Sequence, residues 1–412
     1  MSKLPDPVPA TSALAPFSQP AFRILWGVSL SATLCTWMND VAAGWLMTGM
    51  TSSPLMVALV QSASTLPTLV LALPLGAVAD MMDRRRYILL TQLWLALVGL
   101  VSFAVVWAGV MNPYLLLALT LASGIGFAMR NPGIAGTLPE TVPRVQLPQA
   151  LALSSVALNV SRVIGPALAG AVIASSGAQT VYALNAVIAL AGCIGIVRWK
   201  RVAPAPPAKS TGLMVAIVEG VRHAAHSPAL RAVMLRTAVF YLHATIVMAL
   251  LPLLARRLDP HSPTAYALMF GALGVGAVFV CLVILPRLRT AMSPEKRLLI
   301  GSILIATTMI VIALSPWIWL STLAMFFAGM AWTGAGNTMT TQAQLSLSNA
   351  LRARGMSIYL GAMMGASAVG ASLWGGLAGV IGISGALGVA ATTTLLSAWY
   401  LFRHHTMPGE SL

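Results

Sequence analysis

From Ala21 onward the chain is a succession of apolar stretches, each long enough to cross a bilayer as a helix. Short joins separate them, marked by Pro, Gly and Asn, as at Asn112-Pro113 and Ser315-Pro316. About twelve stretches can be drawn: 22–47, 54–79, 87–110, 114–136, 148–175, 179–198, 230–254, 264–285, 297–315, 317–341, 355–381 and 383–402. Composition leaves no soluble alternative. Hydrophobic residues make up 58% of the 412 and charged residues 8%, where a water-exposed domain carries roughly 25% charged residues. A surface so poor in charge must face hydrocarbon, where each backbone amide has to be paired within its own helix. The expected fold class is an all-α membrane protein of twelve transmembrane helices.

Lys and Arg number 24 and Asp and Glu 9, a net charge of +15. Nucleic acid is one partner class that such a balance admits. The positive-inside bias of a membrane protein is another. Position separates them. With the N-terminus in the cytoplasm, the inner joins collect Arg84, Arg85, Arg86, Arg144, Arg198, Lys200, Arg201, Lys209, Arg222, Arg287, Arg289, Lys296, Arg297, Arg352 and Arg354. The C-terminal tail adds Arg403, and the outer joins hold Arg256 and Arg257. The skew places both termini inside. It accounts for the net charge without nucleic acid. Cys35, Cys193 and Cys281 lie far apart in apolar runs, with no metal or disulfide spacing.

Residues 1–20 are Pro- and Ser-rich without a continuous apolar core. They read as a disordered cytoplasmic tail and not as a signal peptide. Residues 199–229 open with a basic, Pro-rich run and read as a cytoplasmic linker. Within it Leu213, Ile217, Val218 and Val221 share one helical face, which suggests a short helix along the inner membrane surface. The linker divides a first six-helix bundle, 21–198, from a second, 230–403, followed by a tail at 404–412. The halves echo each other at an offset of about 206 residues. Asn131 meets Asn337, Gly170 meets Gly376, and the inner join at Asp80–Arg86 meets the join near Pro286. A six-plus-six duplication around a basic linker is the layout of a two-bundle transporter.

The join after segment 2 reads Gly76-Ala-Val-Ala-Asp80-Met-Met-Asp83-Arg84-Arg85-Arg86. Gly76 permits close helix contact, Asp80 can accept hydrogen bonds at a helix end, and the arginines can pair with carboxylates or lipid phosphate. The run resembles the signature of the major facilitator superfamily, with Met81 where a basic residue is usual and Asp83 where Gly is usual. Segment 5 carries Asn159-Val-Ser-Arg162-Val-Ile-Gly165-Pro166-Ala-Leu-Ala169-Gly170. Pro166 frees a backbone carbonyl, and the small residues admit a neighbouring helix. Ordinary Gly/Pro packing in a membrane helix is the plain alternative. The run resembles the motif in the fifth helix of the superfamily's antiporters, with Ala169 in place of one Gly. Longer stretches narrow the resemblance: WMNDVAAGWLMTGMTSSPLMVALVQ, LPETVPRVQLPQALALSSVALNVSRVIGPALAG and LRARGMSIYLGAMMGASAVGASLWGGLAG. Together they resemble the bacterial transmembrane secretion effector branch, to which enterobactin exporters and several drug exporters are similar. The resemblance implies two pseudo-symmetric six-helix bundles, the major facilitator fold, and export.

A charge inside a span is costly and is a functional candidate by default. Asp40 is the only acid deep in a segment, about 16 residues or ~24 Å into the first and so in its outer half. Arg162 lies near the middle of segment 5, Arg130 in the inner half of segment 4 and His243 near the centre of segment 7. Arg236 is near the inner end of segment 7, where snorkelling explains it. Each of the first four also admits a plain reading. Asp40 is then a helix-end carboxylate wetted from outside, Arg162 a partner holding the bundle together, Arg130 an inner-mouth arginine reaching the headgroups, and His243 a helix–helix hydrogen bond. The functional reading is proton coupling. Asp40 would bind the proton, Arg162 would be its counter-charge at similar depth, and His243, with an ordinary pKa of roughly 6.5, would serve as a relay.

The resemblance implies that segments 1, 4, 7 and 10 line a central cavity. The candidates are Trp37, Asn39, Asp40 and Trp45, then Arg130 and Asn131, then Tyr241 and His243, then Trp332, Asn337 and Gln342. Aromatics and amides with few charges suit a bulky amphiphile. At the inner face, Asp80, Asp83 and Arg84 follow segment 2, while Arg352 and Arg354 precede segment 11 in the other bundle. Opposite charges and a helix N-terminus favour contact there when the cytoplasmic side is closed, an inner gate.

No Walker loop, no His-Glu-x-x-His zinc motif and no Ser-containing nucleophile elbow occurs. The chain is therefore not expected to be an enzyme or to hold a cofactor, and an ion gradient or downhill flow must drive any transport. The expected function is a proton-coupled exporter of a small amphiphilic molecule, a siderophore or drug-like compound, working as a monomer by alternating access. An importer or facilitator on the same fold, and a non-transporting membrane receptor or scaffold, are the alternatives.

Overall fold

A computed structural model describes residues 12–199, 227–260, 262–347 and 352–404. Helices make up nearly all of it, with no strand among the described residues. Six come first: α1 (Pro20–Met50), α2 (Pro54–Met81), α3 (Arg84–Trp107), α4 (Pro113–Thr137), α5 (Leu147–Ser176) and α6 (Ala178–Arg198). Then follow α7 (Pro228–Ala249), the short α8 (Leu251–Leu258) and α9 (Thr264–Phe279). A π-helical turn, Val280–Ile284, leads from α9 into α10 (Leu285–Ala291), and α11 (Pro294–Leu314), α12 (Ile318–Leu345) and α13 (Arg352–His404) complete the chain.

The helix starts are written in the sequence. Ser53, Asn112, Ser227 and Ser293 each stand just before a proline, and each side chain accepts a hydrogen bond from the amide three residues on, at Met56, Leu115, Leu230 and Lys296. The cap satisfies a free first-turn amide, and the proline occupies the position where an N–H is not missed. Two turns depend on glycine. Gly177, at φ +79°, separates α5 from α6, and Gly382, at φ +77°, breaks the 53-residue α13 into two arms. An L side chain is strained in that region.

Among the described residues ten helical stretches are long and apolar enough to cross a membrane, where the sequence suggests twelve. One of the ten, Ile358–Arg403, runs 46 residues through Gly382. Pro20–Met50 is not among them although it has 31 residues. It carries Ser29, Ser31, Thr33, Thr36, Asn39 and Asp40, which lower its apolar character.

The two halves pack by one scheme. In the first, α2 lies on α4, α3 on α6 and α1 on α5. In the second, α9 lies on α12, α11 on the second arm of α13 (Ser384 Oγ donates to Ala313 O, 3.0 Å) and α7 on the first arm (Trp374 Nε1 donates to Leu242 O, 2.8 Å). The halves join through α2 on α13 and α5 on α9, two contacts that the same duplication relates to each other. Backbone-close packing depends on small residues. The Phe326 carbonyl at Gly276 and the Leu273 carbonyl at Gly329 leave no room for even a Cβ between α9 and α12.

The surface is apolar where lipid belongs. Leu90, Leu93, Leu97 and Leu100 recur at helical spacing along α3 and are 45–56% exposed. Trp107, Tyr114, Trp317 and Trp319 are exposed at one end, and Trp399 and Tyr400 near the other, in the manner of interfacial aromatic belts.

The N-terminal stretch differs from expectation. Residues Ala15–Ser18 form a 3-10 turn, and the Phe17 ring packs edge-on against Phe22 at 5.3 Å and Trp26 at 5.0 Å. A Pro-rich composition suggested disorder up to residue 20, but one aromatic anchor suffices to dock its last turn. Trp199 is buried in the same core, with Phe22, Leu25 and Ile196. Residues 1–11, the expected interfacial helix around Leu213–Val221 and the tail after His404 lie outside the described residues.

Candidate functional site

Contacts between the halves gather toward the end of the bundle that holds the Gly177 and Gly382 turns. Along α2 they run from Pro54 and Leu55, which meet Gly375, through Ser62 to Leu69, which meets Gly361 and Gly365. Ser62 Oγ donates to Ala368 O at 2.7 Å and lies 2.9 Å from Ser372 Oγ. Gly170 of α5 is pressed on Ala267 of α9, and Gly274 of α9 on the Arg162 carbonyl. By contrast, among the described residues no neighbouring helix comes within 4 Å of where a Cβ on Gly76 would sit, near the opposite end of α2. Nor do α4 and α12 pack extensively on each other. The halves are sealed at the Gly177–Gly382 end.

An arginine on α8 fastens that seal. Arg256 Nη1 donates to Thr48 O at 2.7 Å, and its guanidinium lies 4.7 Å from the Trp45 ring. A cation at a free carbonyl in the last turn of α1 is favoured by the helix dipole. Its neighbour Arg257 donates to Ser384 Oγ at 3.1 Å in its own half. The sequence places Arg256 only as one of two outer-join arginines. Two arginines standing alone among the outer joins, with Trp45 on segment 1, were the available signal.

Asp40 sits one to two turns deeper on α1. It lines a small cavity between the halves with Gln61 and Ser64 of α2, Met248 of α7, and Tyr266 and Phe270 of α9. Among the described residues its carboxyl has no ion-pair partner. The expected pairing with Arg162 is absent from this arrangement. Arg162 reaches across the interface instead, where Nη1 donates to Thr333 Oγ1 of α12 at 3.2 Å and the guanidinium lies 5.4 Å from the Trp37 ring. That ring in turn meets Phe270 edge-on at 5.9 Å. Sharing a depth on two helices does not bring side chains together when their faces point apart.

Arg130 is 6% exposed. Its guanidinium lies over Phe127 at 5.0 Å, with a long hydrogen bond from Nη1 to Thr36 Oγ1 at 3.4 Å. It is held beside α1 and does not extend to a headgroup. Asn131, next to it, is exposed, and Asn39 is half-buried. In the second half, Tyr241 is buried against Trp332, rings 4.8 Å apart, and its hydroxyl sits against Gly336. Asn337 and Gln342 on α12 are half-buried. The His243 ring shares Nδ1 with the Val239 carbonyl at 2.7 Å and lies 5.6 Å from Trp374, so it faces α13 in its own half. Arg236 is paired with Glu295 at 3.3 Å and donates to Leu401 O at 3.1 Å.

Along α5, a Cβ on Gly165 would stand 2.7 Å from the Trp37 Cβ, and Pro166 is buried. Gly165 thus holds α5 against α1, while Gly170 holds it against the other half. At the opposite end of the molecule, Asp83 caps α3 by accepting from Arg86 N at 3.0 Å. Arg84 pairs with Glu140 at 3.2 Å, and Arg85 donates to the Ile196 and Val197 carbonyls. The described contacts of this loop are thus within the first half. The side chains of Asp80, Arg352 and Arg354, the expected gate partners, lie outside the described residues.

Known proteins give the arrangement a lineage. The family model for the transmembrane secretion effector matches residues 11–412. A major-facilitator-type transporter of Bacillus subtilis, YfiS, is 31% identical over 33% of this chain and 31% of its own length. The staphyloferrin A transporter of Staphylococcus aureus is 24% identical over 37% of this chain and 39% of its own. The chain therefore spans about a third of the length of these two curated relatives. The multidrug efflux pump Tap of Mycolicibacterium fortuitum is 28% identical over 72% of this chain and 74% of its own length. A solved variant of the nucleoside transporter NupG superposes on 93% of this chain and 100% of that one, with a TM-score of 0.77 at 12% identity, a likeness of fold. With its helices duplicated and joined as α2 on α13 and α5 on α9, the chain belongs to the transmembrane secretion effector family of the major facilitator superfamily.

Proposed function

We propose that this chain is a secondary transporter that exports a small amphiphilic molecule, a siderophore or a drug-like compound, in exchange for protons. It crosses the cytoplasmic membrane of a bacterium twelve times, with both termini inside, and works as a monomer. The charge skew of the joins supports this orientation. On it the sealed Gly177–Gly382 end is the outer end, and the state described is closed to the outside. The named relatives, a siderophore transporter and a multidrug efflux pump, support the cargo class and the outward direction.

The observation that carries the reading is the position of Asp40. A carboxyl with no ion-pair partner among the described residues lies at the seam between the halves, just below the seal. Parting the halves at the outer end wets that seam, and closing them isolates it. A group whose access changes with the gate can take a proton on one side and lose it on the other. The proton's differential affinity for the two states then biases which is populated. The inner loop at Asp80 and Asp83, opposite Arg352 and Arg354, is the proposed closure for the reverse state.

Everted membrane vesicles test the function. With a proton gradient imposed, vesicles carrying the chain should accumulate compounds from a panel of siderophores and dyes, and a protonophore should abolish this. Asp40→Asn should insert normally, bind cargo and fail to accumulate it. Movement that ignores the protonophore would make the chain a facilitator. An Asp40→Asn variant that still concentrates cargo with unchanged pH dependence would remove Asp40 as the proton site and turn attention to His243.

A further inference from the structure

The charges inside the membrane do not balance. Arg130 and Arg162 both lie against the middle of α1, at the consecutive residues Thr36 and Trp37. Neither has a carboxylate partner among the described residues. Each instead uses an aromatic face and one hydroxyl, Phe127 with Thr36 and Trp37 with Thr333. A guanidinium has five N–H donors in a planar fork, so most of its donor capacity is unspent on neutral partners.

The sequence holds no hidden remedy. Of its nine acids, Asp80, Asp83, Glu140, Asp259 and Glu295 stand at helix ends or in joins, and Asp6, Glu219 and Glu410 fall in the terminal and linker stretches. Only Asp40 is in the interior of a spanning helix. If a change of state brought Asp40 to one arginine, the other would still lack an anion. An uncompensated cation at mid-membrane is expensive, and the chain cannot neutralise two of them by itself.

We propose that the missing anion is carried by the cargo: the exported molecule bears a carboxylate or sulfonate that Arg162 and Arg130 hold at mid-membrane, with its aromatic part against Trp37. This rests on the transport reading above. Planar oxyanions match the guanidinium fork in a bidentate way, and Trp37, edge-on to Phe270, offers a flat apolar wall beside it. Arg162 also touches both halves, through Trp37 of α1 and Thr333 of α12. A cargo that draws its guanidinium away from Thr333 loosens a bond between the halves, so binding itself bears on the gate.

The test uses the purified full chain in nanodiscs and three matched probe pairs: naphthalene-2-acetate, indole-3-acetate and biphenyl-4-carboxylate, each against its primary amide. Binding is read by thermal stabilisation and by displacement. The wild-type chain should bind at least one acid ten or more times tighter than its amide. Arg162→Gln and Arg130→Gln should each bring that ratio near one. Arg162→Lys, which keeps the charge but loses the fork, should keep part of it, and Arg403→Gln, at the inner end, should keep all. Equal binding of acid and amide in every pair, binding of neither member of any pair, or an acid preference that survives both glutamine variants would overturn the proposal. The wild-type comparison decides the matter even if a variant fails to fold. Export of neutral or cationic dyes in everted vesicles would meanwhile leave the transport reading standing, so the two can fail separately.

Discussion

Two arginines on membrane-spanning helices meet opposite fates in the two halves. Arg236 on α7 is 5% exposed and has what a buried cation needs: Glu295 at 3.3 Å and the Leu401 carbonyl at 3.1 Å. Arg162 on α5 has a hydroxyl and an indole face. The first cation is neutralised by a carboxylate of its own half. The second arrangement is incomplete, and its tie to Thr333 crosses the seam that must open. A satisfied buried charge fixes structure, whereas an unsatisfied one marks a place where something arrives or leaves.

The comparison breaks most sharply at the pair itself. Arg236→Ala strands Glu295 in an apolar pocket of α7, α11 and α13 and should cost about 3–5 kcal/mol of stability, read as a large drop in melting temperature and folded yield. Replacing both members, Arg236→Met with Glu295→Leu, should recover most of that loss, since two apolar side chains leave no charge behind. If the double variant is as unstable as the single one, the pair has a role beyond mutual neutralisation.

Arg162→Gln should do the opposite. Removing a cation without a counter-charge should leave the stability within about 1 kcal/mol of the wild type, or raise it, while cargo-dependent stabilisation disappears. A collapse like that of Arg236→Ala would make Arg162 structural and erase the distinction between the halves.

Arg256→Gln addresses the seal. It removes a charged hydrogen bond to the end of α1 and the stacking on Trp45. The side chain is half-buried, and the expected effect is about 1 kcal/mol, roughly a fivefold shift in populations toward a state open at this end. Accessibility of a cysteine introduced at Ser64, which lines the cavity beneath the seal, would report it. Unchanged labelling would mean that the glycine contacts alone hold the seal. The smallest effect is expected at Arg403→Gln. Its guanidinium stacks on the exposed Trp399 at the end opposite the seal, and stability should move by less than about 0.5 kcal/mol.

Much of this is legible in the sequence. The Ser-Pro and Asn-Pro pairs mark helix starts because cap and proline act locally, and Asp40 stands out because no other acid is far from a helix end. The partners did not stand out. Arg162 and Asp40 looked like a pair because depth along a helix can be counted from the chain. Rotation about the helix axis cannot be counted so readily when nearly every side chain is apolar. The Phe17 anchor was missed for a related reason, since its partners Phe22 and Trp26 become neighbours only when the chain turns before Pro20.

The sequence by itself determined the solvent, the helical class and the excess of intramembrane cations over anions. These follow from composition and from segment length, and they hold in any arrangement of the helices. The tertiary structure decided which face of each helix meets protein and which meets lipid. Lipid is as apolar as leucine, so hydrophobicity does not orient a membrane helix, and close approach at small residues does. Gly276 on Phe326 and Gly329 on Leu273 lock α9 to α12, and Gly170 on Ala267 locks the halves. Those contacts, between residues far apart in the chain, turned Arg162 toward Thr333, gave Arg236 its glutamate, set Arg256 on the end of α1 and left Asp40 at the seam.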